Sequence, residues 1–129
     1  MRVAVVSDIH ANLAAFDAVL RHAGDVDAVW NTGDAVGYGP EPSQVIARLA
    51  ELDAVWVAGN HERAATGAIS TEDFNEGAAT AAHWTRDHLS EAEKSGLDAL
   101  PETCETGGCV LVHGTLRDPI WEYLAGRYS

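Results

Sequence analysis

Positive charge is scarce in this chain. Eight lysines and arginines stand against twenty aspartates and glutamates, a formal net charge of −12. A surface of that sign repels phosphate backbones and anionic membranes, which argues against a general nucleic-acid or lipid binder. A small phosphorylated substrate stays open, because bound divalent cations can reverse the field inside one cleft. Cysteine is nearly absent. Cys104 and Cys109 flank Glu105-Thr106-Gly107-Gly108, a good hairpin turn, and could face each other across it. In a cytoplasm they would stay reduced, and a Cys-x4-Cys spacing without partner ligands argues against a metal or redox role. No apolar run approaches membrane-spanning length, and Met1-Arg2 enters a strand with no charged and apolar leader behind it. The expectation is a soluble cytoplasmic protein. Internal repeats, low-complexity tracts and linkers are also missing, and at 47% hydrophobic content disorder is not the default. The 129 residues then form one domain with a modest core.

What is present is a repeated grammar of short apolar runs that stop at polar residues. Val3-Ala4-Val5-Val6 runs into Ser7-Asp8-Ile9-His10, and Ala28-Val29-Trp30 runs through Asn31-Thr32 into Gly33-Asp34. Val55-Trp56-Val57-Ala58 ends in Gly59-Asn60-His61-Glu62, and Cys109-Val110-Leu111-Val112 ends in His113-Gly114. Between the first runs, Leu13, Phe16, Val19, Leu20 and Ala23 have helical spacing, with Asn12 a cap and Gly24 a stop. Pro42 suits a helix first turn, and Val45, Ile46, Leu49 and Leu52 line one face. Strand, helix, strand, helix, strand predicts an α/β domain with a mainly parallel sheet. Residues 64–70 read as a surface loop. Ser70-x-x-Asp73 and Ser90-x-x-Glu93 read as capping boxes for helices near 72–88 and 91–100. On the first of these Phe74, Ala78, Ala81, Ala82, Thr85 and Leu89 share a face, and Pro101 ends the second. Residues 115–129 form a short mixed tail.

Ligands bind α/β sheets beyond the carboxyl ends of their strands, and that is where the polar residues fall. Asp8 and His10, two apart, share a face of a strand and could reach one ion. Asp34 has two oxygens and could bridge two. Asn60 offers an amide oxygen, His61 extends from the same corner, and His113 would reach the same edge. Each has an ordinary reading: Asp8 as a helix cap or a nucleophile of other chemistry, Asp34 and Asn60 as turn formers. Together, Asp, His, Asp, Asn, His and His at four strand ends are hard to obtain from packing, since buried polar groups need dedicated partners. His22, His83 and His88 lie on helices away from this edge and read as surface or capping residues.

The blocks Asp8-Ile9-His10, Gly33-Asp34, Gly59-Asn60-His61-Glu62 and Val112-His113-Gly114 resemble the signature of calcineurin-like metallophosphoesterases. Ser7-Asp8-Ile9-His10-Ala11-Asn12 and Gly33-Asp34-Ala35-Val36-Gly37-Tyr38-Gly39-Pro40 resemble that family's small prokaryotic branch. The resemblance implies the first, βαβαβ half of a layered sandwich and hydrolysis of phosphomonoesters or phosphodiesters at a pair of divalent ions. Manganese comes first, with iron, zinc, nickel or magnesium as alternatives. It implies that Asp8 and His10 hold one ion, Asp34 bridges, and Asn60 with His113 hold the other. His61 would contact the phosphate and Glu62 would orient the loop, while a bridging hydroxide attacks phosphorus. The family pattern continues to a Gly-His-x-His block with two more ligands, and no histidine follows His113 here. The expectation is a single, C-terminally incomplete domain over 1–129. The alternative function is a catalytically impaired domain that binds metal or phosphate, or docks a partner or a second copy through an open sheet edge.

Overall fold

The first three apolar runs pair in parallel. In the computed structural model, which describes residues 1–127, β1 (Val3–Val6), β2 (Ala28–Asn31) and β3 (Val55–Trp56) form a sheet in the order β1-β2-β3. Val6 sits opposite Asn31, and Asn31 opposite Trp56, so the carboxyl ends of the three strands line up in one row. The helices between them, α1 (Leu13–Ala23) and α2 (Pro42–Glu51), cover one face. There Phe16, Val45 and Leu49 bury against Val6 and Val29. The local signals act as expected. Asn12 Oδ1 accepts from Ala15 N at 3.0 Å, and Gly24 closes α1 with φ 67° and its N–H on Leu20 O.

The fourth run does not join this sheet. β4 (Thr103–Thr106) and β5 (Cys109–Val112) form a separate antiparallel hairpin. Its Leu111 packs with Trp30 and Val57 on the face the helices leave open. The cysteines are not opposite one another. Thr106 pairs with Cys109 and Cys104 with Leu111, because the turn is the two residues Gly107-Gly108 and the register follows from its length. Val5 remains 60% exposed on the outer strand, an open edge of the parallel sheet.

The middle of the chain departs from the sequence expectation. β3 ends at Trp56 rather than reaching Gly59, and Gly59 is the cap of a short helix, α3 (Asn60–Thr66). Residues 64–66 therefore lie in a helix rather than a loop; Ala64 and Ala65 are buried, which small side chains permit where α3 packs on α4 (Glu76–His88) and α5 (Glu91–Asp98). Ser70 does not start a helix. Its Oγ accepts from Glu72 N, two residues on, at 3.1 Å, which closes a local turn. Asn75 caps α4 instead, with Oδ1 on Ala78 N at 2.9 Å, so Phe74 is outside the helix. Ala78, Ala82, Thr85 and Leu89 are buried as their spacing implies, and Ser90 with Glu93 forms the expected capping box. Asn75→Ala should lower stability by about 1 kcal/mol. Ser70→Ala should stay within about 0.5 kcal/mol. Thermal unfolding of the two variants checks the helix start, and equal losses would contradict it. The tail read as 115–129 is described to residue 127; residues 128–129 lie outside the described residues. Its first part folds back, with Gly114 N on Pro119 O and Thr115 N on Asp118 O.

Candidate metal centre

The loops beyond β1 and β2 run side by side and are zipped by backbone hydrogen bonds. Asp8 N donates to Gly33 O and His10 N to Asp34 O, each at 3.0 Å, and Ala11 N donates to Ala35 O at 2.7 Å. The conformation this requires is unusual: Asp8, His10, Ala11, Asp34 and Tyr38 all have φ between 49° and 57°. The left-handed region is sparsely populated for residues with a Cβ, and each such residue costs on the order of 1 kcal/mol or more. β1 ends at Val6, so Asp8 and His10 lie in a loop and not on one face of a strand; left-handed backbone at Asp8, His10 and Asp34 is what accompanies their convergence.

Asp34 is the hub. It is 4% exposed, and its Oδ1 accepts from His61 N at 3.0 Å. Its Oδ2 lies 3.3 Å from His113 Nε2 and 3.8 Å from His10 Nε2. This close approach of loops explains a glycine. A Cβ on Gly59 would run into Asp34 Oδ1 and lie 2.7 Å from Asp34 N. Gly37 is required for the same reason, since a Cβ there would strike the His61 ring.

Both flanking imidazoles are oriented by backbone carbonyls. His10 Nδ1 faces Val36 O at 3.0 Å and His113 Nδ1 faces Thr32 O at 2.9 Å. A carbonyl only accepts, so each Nδ1 carries a proton and each Nε2 turns its lone pair to the carboxylates in the neutral form. The end of the Asn60 amide that faces the hub lies 3.1 Å from His113 Nε2 and 3.2 Å from Asp34 Oδ2. With its NH2 there it donates to both. With its oxygen there, three electron-pair donors converge, an arrangement a cation stabilises. The ligand atoms of Asp8, Asp34 and His113 lie within 4.8 Å of one another, as do those of His10, Asp34 and His61. Two groups of donors thus share Asp34. All six residues singled out in the sequence come together, and His61, assigned no ion above, stands among the donors. A mixture of carboxylate, imidazole and amide oxygen without thiolate suits manganese, iron, zinc or magnesium.

Proton affinities follow from this crowding. Burial pulls the His113 pKa down, but hydrogen bonding and charge from Asp34 outweigh it and carry it to about 9. The His10 pKa is raised by Asp8 and Val36 against the same opposing burial. The hydrogen bond from His10 lowers Asp8 to about 2, opposed by burial and helped by Ser7, whose hydroxyl donates to Oδ2. Glu62 is fully buried and pushed up to about 7, chiefly by burial and then by the Asp34 charge. Its Oε1 accepts from Ala35 N at 3.2 Å and Trp56 Nε1 at 3.1 Å, tying the second loop to the third.

The residues that sequence reasoning did not single out are aromatic. His61 is 5% exposed and its pKa is lowered by burial. Its ring is surrounded by His10, Tyr38 and Phe74 at centroid separations of 4.8, 4.9 and 5.0 Å. Trp121 stands against Phe74 at 5.5 Å. Phe74 fits a helical core pattern in the sequence, and only the later helix start frees it to pack here. His22, His83 and His88 are exposed and lie outside the centre.

A model of the calcineurin-like phosphoesterase family matches residues 1–126. An uncharacterised protein of Methanocaldococcus jannaschii is 34% identical over 98% of this chain, which spans 55% of that relative. A metallophosphoesterase structure from Sphaerobacter thermophilus superposes with a TM-score of 0.82 at 42% identity, covering 96% of this chain and 51% of that one. A hypothetical protein from Pyrococcus horikoshii shares the fold, with a TM-score of 0.75 at 20% identity over 94% of this chain and 57% of its own. The chain thus spans about half the length of the relatives it matches. With four ordered blocks converging on Asp34 and the match running from residue 1 to 126, the chain belongs to the calcineurin-like phosphoesterase family.

Proposed function

We propose that this chain supplies the metal-binding half of a phosphoester hydrolase acting on a small phosphomonoester or phosphodiester. The observation that carries the reading is the pair of donor groups sharing Asp34. Asp8, His10, Asp34, Asn60 and His113 would hold two divalent ions, manganese foremost. When bound, such ions supply Lewis acidity toward the phosphoryl oxygens and a hydroxide nucleophile at neutral pH. They also answer the charge problem: two carboxylates at the centre of a chain of net charge −12 repel a phosphate unless cations intervene.

The chain's own residues do the rest. Asp34 fixes the third loop by accepting from His61 N. His61, its pKa lowered by burial and its ring held by Tyr38 and Phe74, donates an N–H to a phosphoryl oxygen or, in its protonated form, a proton to the leaving oxygen. The aromatic walls keep water from that side and strengthen every charge interaction inside. The test is hydrolysis of p-nitrophenyl phosphate and its bis ester by the full chain with Mn²⁺. Turnover that chelation abolishes and Mn²⁺ restores is expected; turnover indifferent to chelator would overturn the reading.

A second reading has its own support in β1, whose outer edge pairs with no strand among the described residues. Through that edge one copy would pair with another, in a domain that binds metal or phosphate without turning over. Light scattering on the full chain separates the two, since a monomer that hydrolyses substrate excludes it. No helix among the described residues is long and apolar enough to cross a membrane. A cytoplasmic location and the absence of a nucleic-acid or membrane partner belong to the proposal.

A further inference from the structure

Tyr38 faces two ways. Its ring packs edge-on against His10 and tilted over His61, at centroid separations of 5.0 and 4.9 Å, yet remains 52% exposed. Beyond it opens a groove of about 560 Å³ between the loop after β2 and helix α4. Pro40 and Tyr38 line the loop side, and Glu76, Thr80 and Trp84 the helix side. Those three are four residues apart in succession, so they form a single stripe along α4. Trp84 is 39% exposed, and its indole stacks on the His88 ring at 3.9 Å and 20°, which fixes its plane. The volume falls within the range of about 300–1,000 Å³ common to small-molecule sites. Apolar walls with a few converging polar groups are the composition of such sites.

We infer that this groove seats the leaving group of the substrate and that the leaving group carries a nucleobase. The inference rests on the hydrolase reading for the chemistry at the neighbouring centre. Tyr38 belongs to both walls, so the groove adjoins the centre at the side chain that packs on His10 and His61. Two aromatic side chains at fixed positions favour a planar ring over a sugar or an aliphatic alcohol. Glu76 repels an anionic group and accepts from a ring N–H or an exocyclic amine, and the Thr80 hydroxyl can donate or accept beside it. A base bearing an amine uses all of these groups, whereas a bare phenyl ring uses the walls alone.

Equilibrium binding separates this inference from the reaction. Adenosine, which has no phosphate, is titrated into the full chain and followed by backbone amide shifts. Shifts confined to 38–40 and 76–84 are expected, and Trp84→Ala should weaken the affinity by about tenfold or more. Glu76→Gln should weaken adenosine more than it weakens phenyl phosphate. Both side chains are exposed, and unchanged thermal unfolding and Mn²⁺ titration would establish that the variants are folded. No adenosine binding, shifts elsewhere, or equal affinity of wild type and Trp84→Ala would overturn the inference. So would phenyl phosphate and adenosine 5′-monophosphate binding equally well and losing equally on Glu76→Gln. Adenosine binding without hydrolysis of any ester would leave the groove standing and sink the hydrolase reading; bis-p-nitrophenyl phosphate turnover without adenosine binding would do the reverse.

Discussion

Asp34→Asn should lower phosphodiester turnover by about 10³-fold or more and remove tight Mn²⁺ binding, while leaving the fold in place. The asparagine keeps an oxygen where Asp34 Oδ1 accepts from His61 N at 3.0 Å, so the third loop stays anchored. What disappears is the charge between His10 and His113, 3.8 and 3.3 Å from Oδ2. Asparagine is the informative choice, because alanine would orphan the His61 N–H as well as the charge and confuse binding with folding. A second readout needs no metal. The carboxylate's hydrogen bond and charge raise the His113 pKa to about 9 against the pull of burial, so in the variant its imidazole should titrate markedly lower, as followed by NMR. Calorimetric Mn²⁺ affinity equal to wild type would remove Asp34 from the centre.

Without metal, the protein should lose thermal stability as pH rises from about 6.5 to 9, and saturating Mn²⁺ should reverse that trend. The sign follows from linkage. His113 is raised from 6.5 to about 9, so its contribution is fully present below 6.5 and is lost as pH climbs through 9. Glu62 is raised from 4.5 to about 7, so its contribution is present below 4.5 and is lost through 7. Asp8 runs the other way: lowered from 3.8 to about 2, it contributes above 3.8 and fails only as pH falls through 2. His61, lowered by burial, runs against the trend as pH rises toward its ordinary 6.5, so the net loss is expected above that value. A divalent ion competes with the protons on His10 and His113, so its affinity rises with pH and stabilises the alkaline side. Unfolding scans in chelator and in Mn²⁺ across this range check both halves. A melting temperature in chelator that is flat or rises between pH 6.5 and 9 would contradict the assignment.

Much of the centre was legible because its determinants are local. Alternating apolar and polar blocks, Asn12 and Gly24 around α1, Pro42 at α2 and the Ser90–Glu93 box each act within a few residues, so their outcome can be read directly. The placement of Asp8, His10 and Asp34 just beyond the ends of β1 and β2 follows from parallel pairing, which aligns the ends of strands separated by a helix. Where a local signal and packing disagreed, packing decided. Ser70-x-x-Asp73 reads as the helix start, yet Asn75 takes the cap, and α4 beginning there buries Ala78, Ala82 and Thr85 against its neighbours. Residues 64–66 looked like loop because alanine and threonine carry little apolar surface, yet small size is what lets α3 pack on α4 and α5.

The sequence by itself determined the α/β order, the polar residues at the strand ends and the family they mark. The tertiary structure decided that β5 reaches the centre from a separate hairpin and that His61 is walled by Tyr38 and Phe74. It also decided that Asp8, His10 and Asp34 adopt left-handed backbone to converge. The physical reason is range. Capping and periodicity are set by neighbours along the chain, whereas strain, aromatic contact and proton affinity are set by groups that meet only once the loops have closed on one another.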